Sequence, residues 1–163
     1  MKKIIVAFLC VTAMLVLNLT PVQAEQWDFL VDMPPDATYY IESSSVFCDE
    51  FREDEVIFHA FLKSVYTAEG RKKRLKRFMD NYGYLPEGAT NITHSIFLEH
   101  FKWSKGVKYY TIDYENVCKA DGSIVREMSY RRSWHDWKVI APGQISDRLF
   151  DLVFNILASK LHR

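Results

Sequence analysis

The sequence predicts an α+β fold, with an antiparallel sheet of about five to six strands and a C-terminal helix packed on one face. Two patterns lead to this fold class. Segments with alternating apolar residues follow one another between turns, and an apolar stripe at helical spacing closes the chain. The composition agrees, because 48% apolar and 26% charged residues in a chain of 163 are typical of a folded globular protein.

Six segments have strand character, namely 38–42, 56–66, 91–103, 107–117, 123–130 and 137–140. The segment 56–66 is largely apolar on both of its alternating faces, which indicates a central strand. The dipeptide Asp121-Gly122 is favoured in tight hairpins and predicts a turn between the fourth and fifth segments.

Two further segments have the period of a helix. The first, 68–82, is inserted after the second strand and ends at Gly83; its apolar positions are Leu75, Phe78, Met79 and Tyr82. The second follows Pro142-Gly143, and its stripe consists of Ile145, Leu149, Leu152, Val153, Ile156 and Leu157. We expect this closing helix to cover the core.

Residues 1–24 are predicted to be a secretory signal peptide. Lys2 and Lys3 form a positive n-region, residues 4–19 are almost entirely apolar, and a V-x-A cleavage pattern ends at Ala24. A retained membrane anchor is the alternative, but an apolar run of about sixteen residues is short for a span of roughly 20. We therefore expect an exported protein with one domain, residues 25–163, and no transmembrane segment in it.

Charge and cysteine content narrow the function classes. The chain has 21 basic and 21 acidic residues, and removal of the leader leaves a net charge of −2, so a nucleic-acid partner held by bulk positive charge is excluded. Cys48 and Cys118 are the two cysteines after the leader. In an exported protein such a pair predicts a disulfide, with two separate buried thiols as the alternative.

Several short motifs together carry a resemblance that covers nearly the whole chain after the leader. They are Trp27, the strand Tyr39-Tyr40-Ile41, the segment 61–71, the strand 109–114, Asp121-Gly122, and Trp137, Ile140, Pro142 and Gly143 before the final helix. In these motifs the chain resembles the surface-adhesin protein E family of bacterial exported proteins. The resemblance implies a small α+β fold with an antiparallel sheet, and binding of host matrix proteins as in the named member.

No enzyme is expected. The sequence has no P-loop, G-x-G-x-x-G, H-E-x-x-H or G-x-S-x-G motif. His94 and His100 share a strand face but are too far apart for one metal site by themselves, and His59 could join from a neighbouring strand. Strand histidines among aromatic residues are mostly packing or hydrogen-bonded residues. The residues 133–136 read Ser-Trp-His-Asp, but neighbours in sequence do not face one another as a triad does. We expect no catalytic residue, metal or cofactor.

The outstanding charged feature is a run of six cations on the first helix: Arg71, Lys72, Lys73, Arg74, Lys76 and Arg77. A basic helix face of this kind can bind acidic glycans, anionic lipid headgroups or acidic protein surfaces. A solvated face without a partner is the alternative.

These observations predict a non-catalytic binding or adhesion module of the cell envelope, in the periplasm or at the cell surface. Its partner is expected to be a host matrix protein, an anionic glycan or another envelope protein, and an exposed strand edge leaves a homodimer open. The alternative is a periplasmic small-ligand-binding or enzymatic domain with a pocket between sheet and helix. A pocket lined by convergent polar groups favours this alternative, and a filled core with an exposed basic face favours the module.

Overall fold

The computed structural model describes residues 26–130 and 136–162. The predicted signal peptide lies outside the described residues, as do Ser133 and His135. The described chain has two α-helices, α1 (Ala68–Tyr82) and α2 (Ile145–Leu161), and short 3₁₀ turns at Ser43–Ser45 and Ala89–Asn91. Its strands are β1 (Asp28–Met33), β2 (Ala37–Ile41), β3 (Phe47–Arg52), β4 (Glu55–Tyr66), β5 (Ile92–Ser104), β6 (Val107–Lys119), β7 (Ile124–Ser129) and β8 (Lys138–Val139).

All these strands belong to one antiparallel sheet with the order β1-β2-β4-β5-β6-β7. Strand β3 pairs with the first half of β4, and β2 pairs with its second half. In the same way β8 and β7 pair with successive parts of β6. The long strands β4, β5 and β6 therefore form the centre of the sheet, and the short strands surround them.

The α+β class, the antiparallel sheet and the C-terminal helix are confirmed. The strand count differs, since the described chain has eight strands where about five to six were predicted. The first helix follows the fourth strand and not the second, because β1 and β3 also precede it. Both are short strands in which charged residues interrupt the apolar alternation, so the sequence pattern alone did not indicate them.

Helix α2 covers one half of one sheet face. Its residues Leu149, Phe150, Val153 and Leu157 are buried in the main core with the strand residues Phe58 and Phe101. The ring of Phe150 meets Phe58 edge-on at a centroid distance of 5.2 Å and Phe101 at 5.8 Å. Burial of these side chains holds α2 on the sheet.

Helix α1 covers the other half of the same face. Its Phe78 is buried in a second cluster with Ala89, Ile92 and Val117. Gly70 permits close approach at the start of the helix, because a Cβ there would lie 1.8 Å from the carbonyl oxygen of Asp36. No described helix covers the opposite face of the sheet, and none of the described helices is long and apolar enough to cross a membrane.

Candidate binding cleft at the basic helix

Local signals fix the ends of α1 and therefore the positions of its cations. The hydroxyl of Thr67 accepts a hydrogen bond from the amide of Gly70 at 3.0 Å, which caps the first turn. Gly83 ends the helix in the left-handed region at φ 74°. Between these ends, residues at i, i+4 and i+8 face the sheet, and they are Gly70, Arg74 and Phe78.

Arg74 is therefore an inward-facing cation and not part of an exposed basic face. Its Nη2 lies 2.6 Å from Oε1 of Glu115, and the side chains are only 14% and 9% exposed. Glu115 also accepts a hydrogen bond from Ser95 at 2.8 Å, and Ser95 in turn hydrogen-bonds the hydroxyl of Tyr66. This network joins α1 to three neighbouring strands.

The pKa values in this network follow from burial and charge. Burial lowers the pKa of Arg74, but the Glu115 carboxylate and Tyr66 more than offset it, so the pKa of Arg74 is raised overall. For the phenol of Tyr66 the effect of burial has the opposite sign, and it raises the pKa of this group. Arg74 and Glu115 thus form a buried pair, in which removal of one partner leaves the other charge uncompensated.

Two other predicted binding cations have a neighbouring carboxylate, although both lysine side chains stay largely exposed. Lys73 pairs with Asp36 at 2.5 Å, and Lys76 pairs with Asp80 one turn along the helix at 2.6 Å. Arg71, Lys72 and Arg77 form no ion pair with a described residue. Lys72, Lys76 and Arg77 are exposed, whereas Arg71 is half-buried. The exposed cationic surface is thus smaller than the sequence predicted.

A cleft of about 370 Å³ lies between α1 and the part of the sheet formed by β6, β7 and β8. We call it the α1 cleft. Its charged and aromatic walls include Arg74, Arg77, Tyr82, Glu115, Tyr130 and Lys138. A second cavity of about 190 Å³ lies toward β2 and shares Arg74, Arg77 and Glu115 with the first. Glu115 offsets the charge of its ion-pair partner Arg74. Arg77 and Lys138 therefore leave the α1 cleft with an excess of positive charge.

The aromatic wall of the α1 cleft is held in place by a further cation. The guanidinium of Arg126 lies 4.3 Å from the ring centroid of Tyr82, and it donates a hydrogen bond to the hydroxyl of Tyr84 at 3.2 Å. Such stacking fixes the ring with little loss of side-chain entropy on binding. The arrangement therefore combines charge-assisted donors with a flat apolar surface, which suits an anionic group on an organic framework.

A buried carboxyl group that the sequence analysis missed lies near the second cavity. Glu99 is 2% exposed, lies between Ala60 and Ile112 across the ladders, and its burial raises its pKa to about 8. Burial and the nearby Glu99 raise the pKa of Tyr39, which lines that cavity, to about 12. In the sequence, the alternation along the strand places Glu99 on the same face as Phe97 and Phe101, and this pattern could have identified the carboxyl group as buried.

The structure does not bring the predicted disulfide partners together, so that prediction is corrected. Cys48 and Cys118 are free thiols. Cys48 pairs with Phe58 of β4, and Phe58 pairs with Phe101 of β5. Cys118 pairs with His94 of β5. Seven residues of a strand separate these positions by about 23 Å, far beyond the roughly 7 Å that a disulfide allows. The cysteine count had indicated a pair without any information on distance.

The comparisons with known proteins add no relative to this picture. No family model matches the chain, and neither the curated proteins nor the solved structures include a match.

Proposed function

We propose that the protein is a non-catalytic, exported module of the cell envelope that binds a macromolecular partner with an anionic surface. One observation carries the proposal. Arg77 lines both cavities without an ion-pair partner among the described residues, and Lys138 lies in the opposite wall of the α1 cleft. Lys72 and Lys76 are further exposed cations of the same helix. The predicted signal peptide and the resemblance to the surface-adhesin protein E family support location in the periplasm or at the cell surface.

We expect the binding free energy to be mainly electrostatic. The test therefore removes positive charges by substitutions that leave the fold unchanged. The test variant replaces Lys72, Lys76 and Arg77 by glutamine and leaves Arg74 unchanged, since Arg74 supports the fold. A control variant removes the same number of exposed cations away from α1, namely Arg52, Lys105 and Arg148. An immobilised sulfated glycosaminoglycan serves as the anionic probe.

If each of the three exposed contacts contributes about 0.5 kcal/mol, their removal lowers the affinity roughly tenfold. We expect this loss in the test variant, little change in the control, and weaker binding by the wild type at high salt, where the Debye length falls to about 3 Å. Equal affinity of both variants would reject α1 as the contact. N-terminal mass analysis and protease treatment of intact cells test export and display separately.

A second candidate function is binding of a small anionic ligand inside the α1 cleft. It is favoured by the cavity itself, because about 370 Å³ lies within the usual range of ligand pockets. Inorganic phosphate and citrate are suitable probes in a thermal-shift assay. Under this function Arg77→Gln abolishes stabilisation by the small ligand, whereas Lys72→Gln has no effect; binding to an extended partner weakens with both changes.

A further inference from the structure

A cluster of histidine and aspartate side chains lies on the sheet face that the helices leave uncovered. Its members are Asp49 on β3, His59 on β4, His100 on β5 and Asp113 on β6. His59 and His100 are direct partners across the β4–β5 ladder, and their ring centroids are 5.2 Å apart. Four adjacent strands thus each contribute one side chain to the same place.

Both aspartates occupy irregular positions of their strands. The β3–β4 register shifts between Cys48 and Glu50, which leaves Asp49 as the extra residue. The β5–β6 register shifts where Leu98 pairs with Tyr114 and Glu99 with Ile112, which leaves Asp113 as the extra residue. A β-bulge reorients a side chain relative to the regular pleat and is frequent beside functional sites. Two bulges that flank the same histidine pair point to a built site.

The distances define which atoms face one another. Nδ1 of His59 lies 2.8 Å from both carboxylate oxygens of Asp49. Nδ1 of His100 lies 3.5 Å from Oδ2 of the same carboxylate, and Nε2 of His100 lies 3.0 Å from Oδ2 of Asp113. One ligand atom from each of Asp49, His59 and His100 lies within 4.8 Å of the others.

We propose that this cluster binds a divalent transition-metal ion of the zinc class through Nδ1 of His59, Nδ1 of His100 and the carboxylate of Asp49. Two ligands of a tetrahedral zinc ion with bonds of about 2.0–2.1 Å are about 3.3 Å apart, so small side-chain movements suffice. Two imidazoles exclude Mg²⁺ and Ca²⁺ as preferred ions, since these take oxygen ligands. Three protein ligands leave the fourth position to water or to another ligand.

Asp113 is a positioning residue in this site. Its Oδ2 lies 3.0 Å from Nε2 of His100, and a carboxylate at this distance favours the tautomer in which Nδ1 carries the lone pair toward the metal. This carboxylate–histidine–metal arrangement is common in metal sites, and loss of such a partner typically weakens metal affinity by about 10- to 100-fold. The two aspartates also balance the charge of a divalent ion when both imidazoles are neutral.

The test is calorimetric titration of the untagged chain with Zn²⁺, with Ca²⁺ as the comparison ion. We expect one zinc ion per chain, no comparable binding of Ca²⁺, and a higher unfolding midpoint with zinc. Asp49→Asn and His59→Gln should each abolish binding at this site. Asp113→Asn should weaken it by about 10- to 100-fold, with partial rescue by Asp113→Glu.

His94→Gln is the matched control, because His94 is a buried histidine on the same face of β5 but about 20 Å farther along the strand. It should leave zinc affinity unchanged. Circular dichroism and melting of the metal-free variants show whether each is folded, and imidazole NMR should show zinc-dependent shifts at Nδ1 of His59 and His100. Absence of zinc binding by the wild type, or equal binding by folded Asp49→Asn, would overturn the proposal.

Discussion

Replacement of the buried Glu99 by glutamine should make the protein more stable at alkaline pH. The carboxyl group is 2% exposed on the helix-covered face, and its pKa is about 8 in the folded chain against an ordinary value of 4.5. Between these two values the unfolded chain has lost the proton that the folded chain retains. The folded state therefore binds more protons, and its stability falls as pH rises through this window.

The size of the effect follows from the same two pKa values. The difference is about 3.5 units, and each unit corresponds to about 1.4 kcal/mol, so ionisation costs the wild type at most about 5 kcal/mol by pH 9. Glutamine has the shape of the protonated acid and carries no charge at any pH. Glu99→Gln should exceed the wild type by less than about 1 kcal/mol near pH 5 and by several kcal/mol near pH 9.

Urea unfolding at pH 5, 7 and 9 measures this difference directly, because the other titrating groups cancel between the two proteins. Glu127→Gln, an exposed position on β7, is the control and should follow the wild type at every pH. Parallel profiles of wild type and Glu99→Gln would refute the reasoning, since the carboxylate would then be solvated or paired in the folded chain.

Three other stability measurements test the packing of the two helices. Gly70→Ala should lower the free energy of unfolding, because the added Cβ would lie 1.8 Å from a backbone carbonyl oxygen. This clash should outweigh the roughly 1 kcal/mol that alanine gains in helix propensity. An unchanged urea midpoint would contradict the contact. Leu149→Ala should lower the free energy of unfolding by about 2–5 kcal/mol and Leu152→Ala by less, since Leu149 is fully buried and Leu152 only partly. Thermal midpoints equal to that of the wild type in both variants would place α2 off the sheet. Arg74→Gln should cost about 3–5 kcal/mol, and Glu115→Gln in addition should recover part of it; strict additivity in the double-mutant cycle would deny the ion pair.

The parts of the fold that the sequence predicted are those with strong periodicity. Helix α2 and strand β4 bury most of their apolar positions, and the alternation along β5 holds from His94 onward. A register shift between Ile92 and His94 interrupts it at the start of the strand. Strands β1 and β3 have too few apolar residues for such a signal, and their pairing depends on partners elsewhere in the sheet. Long-range pairing is thus what the local pattern lacked.

The candidate sites show the same limit at the level of single residues. Arg74 belongs to a cationic run and was assigned to the exposed face, yet its position at i+4 from Gly70 turns it toward the sheet. Burial of this guanidinium is tolerated because Glu115 on β6 pairs with it, and this partner is 41 residues away in the chain. The two bulged aspartates are likewise defined by strand register, which the sequence alone does not contain.

The two proposed sites lie on opposite faces of the same central strands, and this makes their tests separable. Along β6, Ile112 and Glu115 line the cavities under α1, whereas the bulged Asp113 contacts His100 on the other face. The variants that remove cations from α1 leave all proposed zinc ligands intact, and Asp49→Asn leaves α1 intact. Loss of anion binding with zinc binding retained, or the reverse, therefore identifies which face has failed, and loss of both in one variant indicates damage to the sheet that they share.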